Sequence, residues 1–322
     1  MENKPLVSID CITYNHAPYI RQCLDGFLMQ ETDFDFEVLI HDDASTDGTQ
    51  EIIREYELKY PHIIKPIYQT ENQWSKGISI SATYNFPRAQ GKYIAFCEGD
   101  DYWTNPYKLQ KQVDYLENNP NCGLTYGKVK VLTYPTGKES TFGEETNYIN
   151  LLKGYNKVPT LSVCIRKDVF AQYNKEVLEK NREWKMGDYP LCLYFFHNTE
   201  TKFINEILGV YRILEESASH SKSSEKLIPY YESIYDIKNY FLNKYNANDE
   251  SILWHIKREH FNLYFSKYIS ENSNVLKNQA ELLLKDCKKI NFIKKMLYKS
   301  IINDRAIRFV YRFYCKLLLK II

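Results

Sequence analysis

The sequence predicts an α/β fold: a mostly parallel, doubly wound sheet with helices on both faces, followed by a helical C-terminal extension. Three observations carry that expectation. Short apolar runs alternate with amphipathic segments from Leu6 to Ile165, the pattern of strand, crossover helix and parallel strand. Polar clusters at 13–16, 42–49 and 98–101 fall where those strands end, and ligands of such sheets bind outside the carboxyl ends of the strands. After Glu225 glycine disappears, and Tyr, Ile, Leu, Lys and Asn dominate at helical spacing.

Leu6 to Ile12 reads as the first strand, with Thr13-Tyr14-Asn15-His16 as a polar turn behind it. A helix from Ala17 to Gln30 follows, because Ile20, Cys23, Leu24, Phe27 and Leu28 recur on one face. Phe36 to Ile40 is the second strand, and Thr46 or Asp47 caps a helix whose core positions are Ile52, Ile53 and Tyr56. His62 to Tyr68 forms a third strand, and Ser79 to Ala89 is compatible with a helix. Tyr93 to Cys97 is the central strand, and Asn105-Pro106 opens the next helix with a cap and a first-turn proline. Cys122 to Leu132 continues the sheet, and residues 133–157 lack periodicity and read as a loop that orders around substrate. Leu161 to Ile165 is a further strand, Arg166-Lys167-Asp168 starts a helix, and Leu191 to Phe196 supplies another.

The chain has 322 residues and a net charge of +1, but the charge is uneven. From Lys257 onward there are 15 Lys and Arg against 5 Asp and Glu, while the first 256 residues carry 27 basic and 36 acidic ones. Such asymmetry predicts a basic tail that meets an anionic partner. Eight cysteines without a CxxC pair sit mostly in apolar runs, so they read as buried hydrophobes in a reducing compartment. No signal peptide precedes Val7 and no apolar run reaches the length of a membrane span, which predicts a cytoplasmic chain.

Chemistry concentrates in Lys92 to Trp103, KYIAFCEGDDYW. The apolar strand stops at Glu98-Gly99-Asp100-Asp101, and carboxylates crowded at a strand end call for a cation. Hard divalent ions take oxygen ligands, and Mg²⁺ commonly shares its coordination with phosphate. A nucleoside diphosphate site is therefore the first expectation, against the simpler reading of a solvated acidic turn. No GxGxxG occurs, which weighs against a dinucleotide-dependent dehydrogenase.

Three stretches, VSIDCITYNHAPYIRQCLDGFLMQ, FEVLIHDDASTDGTQEII and GKYIAFCEGDDYWTNPYKLQKQVDYLENNP, resemble the inverting glycosyltransferase family 2 with its Rossmann-like GT-A fold. The resemblance covers roughly residues 5–215, in the family's order and spacing. It implies that Thr13, Tyr14 and Asn15 pack beside the nucleotide base and that Asp43 hydrogen-bonds it, with Asp42 in support. An aromatic ring can stack on a base, and a carboxylate accepts from an imide N–H. Ser45 and Asp47 read as turn-forming and capping residues.

The EGDD segment corresponds to the family's DxD motif. Asp100 and Asp101 match carboxylates that hold Mn²⁺ or Mg²⁺ against the diphosphate, and Glu98 stands where many members have aspartate. Trp103 floors the site or contacts diphosphate or acceptor. Gly187 replaces the first residue of the family's usual acidic pair, leaving Asp188 as the catalytic base; the alternative is a helix cap ahead of Pro190. Arg212 and His220 match basic residues of a loop that closes over the diphosphate.

The organisation expected is a GT-A domain over 1–222, with a nucleotide-binding half to about 132 and an acceptor half beyond, then a helical region over 223–322. In residues 292–322, lysines and arginines interleaved with Phe292, Ile293, Leu297, Ile301 and Phe309 suit an anionic membrane surface, and packing on the same domain or in a homodimer is the rival reading. No nucleic-acid motif is present. The function implied is transfer of a sugar from a nucleotide-sugar, UDP-linked, to a hydroxyl of a surface polysaccharide or lipid-linked glycan. The alternatives are a nucleotidyltransferase acting on a sugar phosphate, which should carry a Gly-rich basic loop that Thr13 to Tyr19 lacks, and a non-catalytic scaffold.

Overall fold

The computed structural model describes residues 4–180, 183–214, 224–246, 249–271, 274–286 and 292–303. Two compact units emerge, one of residues 1–148 and 156–220, the other of residues 149–155 and 221–322.

In the first unit the opening half alternates as expected: β1 (Val7–Thr13), α1 (Ile20–Leu28), β2 (Phe36–Asp42), α2 (Thr49–Lys59), β3 (Ile64–Tyr68), α3 (Phe86–Arg88) and β4 (Tyr93–Phe96). The order β3-β2-β1-β4 is parallel throughout. Val7 lies opposite both Phe36 and Tyr93, and Thr13 opposite Asp42. This register brings the polar ends of β1 and β2 together, with the residues after β4 beside them. Residues 7 to 11 are buried without interruption, as a strand covered on both faces requires.

The second half is β5 (Tyr102–Trp103), α4 (Lys108–Asn118), β6 (Cys122–Thr133), β7 (Lys138–Phe142), α5 (Tyr148–Lys153), β8 (Cys164–Arg166), α6 (Lys167–Glu176), α7 (Asp188–Asn198) and β9 (Glu200–Ile213). Among the described residues nine strands make one sheet. The sheet is mixed beyond β4, because β8 runs antiparallel to both β4 and β6, while β6 and β9 are parallel to each other. The segment 133–157 is not a plain loop. Lys138–Phe142 pairs antiparallel with β6, and Tyr148–Lys153 is helical. A five-residue exposed strand and a six-residue helix are too short for periodicity to reveal.

The second unit contains α8 (Ser224–Tyr245), α9 (Glu250–Glu271), α10 (Asn274–Asp286) and α11 (Phe292–Asn303). Phe261, Tyr264, Tyr268, Leu276, Ala280 and Leu284 form its core together with Ile301 and Ile302. Ile301 had been expected at a membrane surface; it is buried, and the neighbouring Ile302 carbonyl accepts the Tyr268 hydroxyl at 2.8 Å. The rest of the expected basic tail, 304–322, lies outside the described residues. No helix among the described residues is long and apolar enough to cross a membrane.

A lysine is buried inside the sheet unit. Lys108 is fully buried, its Nζ 2.8 Å from Gln112 Oε1 and 3.9 Å from the centre of the Trp103 ring. Burial lowers its pKa to about 8, opposed by Cys164 and Cys97. The unfolded chain therefore binds the extra proton above that value, and stability rises with pH from there to the ordinary lysine range. Relative to Lys108→Met, the wild type should gain up to about 3 kcal/mol between pH 7 and pH 10, measured by urea titration. A difference constant with pH would mean that the lysine charge is solvated.

Candidate active site

The acidic turn is built by extending β4 past its last ladder pair. The Cys97 amide donates to the Asp10 carbonyl at 3.1 Å and the Gly99 amide to the Ile12 carbonyl at 2.9 Å. Position 99 must be glycine, since a Cβ there would lie 2.5 Å from Thr13 Oγ1. Glu98 then opens toward solvent at the mouth of the sheet. Crowding by surrounding protein, and after it the charges of Asp100, Asp188 and Asp10, push its carboxyl up to about 8.

Asp100 and Asp101 are turned in different directions. Asp100 Oδ2 lies 3.9 Å from His16 Nε2, and its buried Oδ1 has no hydrogen-bond partner. Asp101 is buried, and its Oδ1 accepts the Arg212 amide at 2.8 Å. Burial, with Asp100 beside it, holds the Asp101 carboxyl well above the usual carboxylate range, the Arg212 amide opposing. Arg212 itself lies on β9, not on the closing loop expected of it, and is 4% exposed. Its guanidinium donates to the Asp100 carbonyl and to Gln22 Oε1, and packs 5.1 Å from the Tyr19 ring centre and 4.4 Å from that of Tyr102. Trp103 is buried under the turn, its Nε1 donating to the Leu161 carbonyl at 2.8 Å and its ring edge-on to Phe27. It is a floor, with no surface for a ligand.

Asp188 is the first residue of α7. It arrives from ninety positions downstream of Glu98, yet its charge is among those that raise the Glu98 carboxyl. Burial raises its own pKa, opposed by the Tyr189 amide and by Asn156, whose Nδ2 donates to Asp188 Oδ2 at 3.0 Å. Asp188 follows the cap position, Gly187, and its charge acts on Glu98 of the acidic turn.

On the β1–β2 side, polar residues divide into those that tie loops and those that remain available. Thr13 is buried, its Oγ1 3.1 Å from His16 Nδ1. Asn15 adopts φ +54°, donates its amide to Ser45 Oγ and accepts the Thr46 amide on Oδ1 at 2.9 Å. Asp47 accepts the Ala17 and Thr49 amides, and Asp42 Oδ1 accepts the Ser45 amide and Gln50 Nε2. Asp43 is buried; its Oδ1 accepts the Gln73 amide at 2.7 Å and its Oδ2 the Trp74 amide at 3.0 Å. Two aromatic rings stand free on the loops so tied, Tyr14 at 45% exposure and Trp74 at 57%. His220 lies outside the described residues.

Among the described residues no three His, Cys, Asp or Glu side chains converge as a preformed metal cage. The orphaned buried oxygen of Asp100 nevertheless fits a hard cation, and Mg²⁺-type sites use one or two carboxylates and complete their shell with water and phosphate. Sequence reasoning missed His16, Trp74 and Asn156 as neighbours of the site. His16 and Trp74 had a signal, a histidine in the first polar turn and a lone tryptophan in a polar loop; Asn156 had none.

Residues 8–182 match the model of "Glycosyl transferase family 2". An uncharacterized protein of Mycobacterium tuberculosis is 45% identical over 167 residues, covering 50% of this chain and 47% of its own length. A dTDP-rhamnosyl transferase, RfbG of Shigella flexneri, is 28% identical over 197 residues, 58% of this chain and 64% of that protein. The chain thus spans about half the length of the mycobacterial relative. S. aureus TarS 1–349, solved in complex with UDP-GlcNAc, superimposes with a TM-score of 0.63 at 18% identity, covering 87% of this chain and 80% of that one. That likeness in architecture and the family match over more than half of the residues agree: this α/β chain, with its C-terminal helices, has the GT-A fold and belongs to glycosyl transferase family 2.

Proposed function

We propose that the protein transfers a sugar from a pyrimidine nucleoside diphosphate-sugar, UDP-linked in the first instance, to a hydroxyl of a surface polysaccharide or lipid-linked glycan, with inversion. The observation that carries this reading is the acidic turn behind β4, where a buried Asp100 oxygen has no partner and the charge of Asp188 acts on Glu98. The acceptor hydroxyl attacks the anomeric carbon as the bond to the diphosphate breaks, and Asp188 takes the hydroxyl proton. Burial raises the Asp188 pKa, which makes the carboxylate a stronger base while the Tyr189 amide and Asn156 oppose the shift. Asp100 would hold Mn²⁺ or Mg²⁺, with Glu98 facing it and Asp101 supporting the turn from behind. Such a cation, when bound, neutralises charge on the departing diphosphate.

Tyr14 and Trp74 offer stacking faces beside Asp43, whose carboxylate has lone pairs left after accepting two amides. Uracil and thymine present the same imide N–H, so UDP-sugars and dTDP-sugars are the donors to compare. Thermal shift with UDP, dTDP, CDP and GDP and their sugars in Mn²⁺ tests this. A ligand at a hundred times its dissociation constant should stabilise the protein by about 2.7 kcal/mol. Stabilisation by GDP compounds alone would overturn the pyrimidine assignment.

Asp100→Asn should abolish transfer and remove the metal dependence of nucleotide affinity, read by calorimetry with and without Mn²⁺. Equal wild-type affinity in both conditions would remove the metal from the proposal. Asp188→Asn should leave donor affinity within about twofold while turnover drops by about 10²–10⁴, the usual worth of general base catalysis. Near-normal turnover would reduce Asp188 to a helix start.

The basic segment 304–322 would keep the enzyme on an anionic membrane beside a lipid-linked acceptor. Its sequence alone supports that role, since Ile301 and Ile302 are turned inward. Sedimentation with anionic vesicles at low salt should carry the full chain down, and failure to do so would overturn it.

A further inference from the structure

Asn156 is held by two hydrogen bonds that leave its amide one orientation. Its Oδ1 accepts the Val158 amide at 3.1 Å, so the side chain cannot flip, and Nδ2 is directed to Asp188 Oδ2 at 3.0 Å. The segment that follows is fixed in turn: Pro159 offers its carbonyl to Ser162 Oγ at 2.7 Å, and Val158 and Pro159 are buried. On the other flank, Tyr148 stands edge-on to His197 with ring centres 4.8 Å apart. The chain thus touches both ends of α7 on either side of the 149–155 excursion, His197 near one end and Asp188 at the other.

We propose that Asn156 is a positioning residue for the transfer reaction, aiming the Asp188 carboxylate at the acceptor hydroxyl by holding its Oδ2. This rests on the reading of Asp188 as the base. The ionisable groups whose charges couple to Asp188 are Glu98 of the acidic turn and Tyr189 and Cys192 of α7. Among the described residues, Asn156 donates a side-chain hydrogen bond to it through Nδ2. A donor to the charged form favours ionisation, and its removal shifts the carboxyl upward.

The test is Asn156→Leu in the full chain, with Asp188→Asn assayed beside it. Release of nucleoside diphosphate from UDP-N-acetylglucosamine or dTDP-rhamnose in Mn²⁺ is followed from about pH 5 to pH 9. The expected result for Asn156→Leu is a ten- to hundredfold lower kcat at neutral pH, the scale of losing a hydrogen bond to a charged group. Donor KM should stay within about twofold, and the acid limb of the kcat profile should move to higher pH, recovering part of the loss in alkaline buffer. Asn156→Gln or Asn156→Ser, which keep a donor, should return part of the rate. An unchanged profile in Asn156→Leu, with Asp188→Asn inactive, overturns the positioning role alone. Full activity of Asp188→Asn, or no release from either donor by the wild type, overturns the underlying reading instead. Loss of folded protein in both the Leu and Ser variants also overturns the proposal, since Asn156 would then be a scaffold residue.

Discussion

Carboxylates gathered at a strand end repel one another, and burial removes the water that would screen them. Asp101 is buried, Asp100 half-buried and Glu98 exposed beside them, and the surrounding structure holds all three in place. The backbone of the turn is sewn to β1 by two amides, and the buried Arg212 guanidinium grips it from behind through the Asp100 carbonyl. Tyr19 and Tyr102 hold that guanidinium between their faces, and Gln22 takes another of its N–H groups. The cation is therefore spent on the scaffold, and the front of the turn is left acidic. A site so arranged is poised for an incoming positive charge.

Hydrogen bonds among the polar residues near the mouth serve the same scaffold. Thr13, Asn15, Asp42, Ser45 and Asp47 tie the ends of β1 and β2 into one rigid rim. Asp43 fastens a third loop to it through Gln73 and Trp74. Rigidity of this kind lets exposed rings such as Tyr14 and Trp74 serve as preformed surfaces, with less ordering cost when a flat ligand arrives.

The parallel half of the sheet was legible in the sequence because apolar residues concentrate in its strands and polar clusters follow β1, β2 and β4, as at Tyr93 to Asp101. The helices α1 and α2 were legible from spacing on one face. What was not legible is long-range. Nothing local reveals that Arg212 belongs to a strand, since its buried state depends on Tyr19 and Tyr102 from distant positions. Asp101 looks equivalent to Asp100 in the sequence, and only the pairing of β5 with β9 turns it toward Arg212. Asn156 sits in a stretch without periodicity, so its partnership with Asp188 could come from tertiary structure alone.

The helical unit is not a simple appendage, because residues 149–155 belong to it while their neighbours on both sides belong to the sheet unit. Within it the buried Lys238 donates to the Gly154 carbonyl at 2.6 Å, across 84 positions of chain. During synthesis the 149–155 segment emerges long before Lys238, and the Gly154 carbonyl meets that lysine only once α8 follows. Closing a loop of that length comes late in folding. The sheet unit can assemble its parallel half first, and residues 149–155 join their own unit only once α8 has followed.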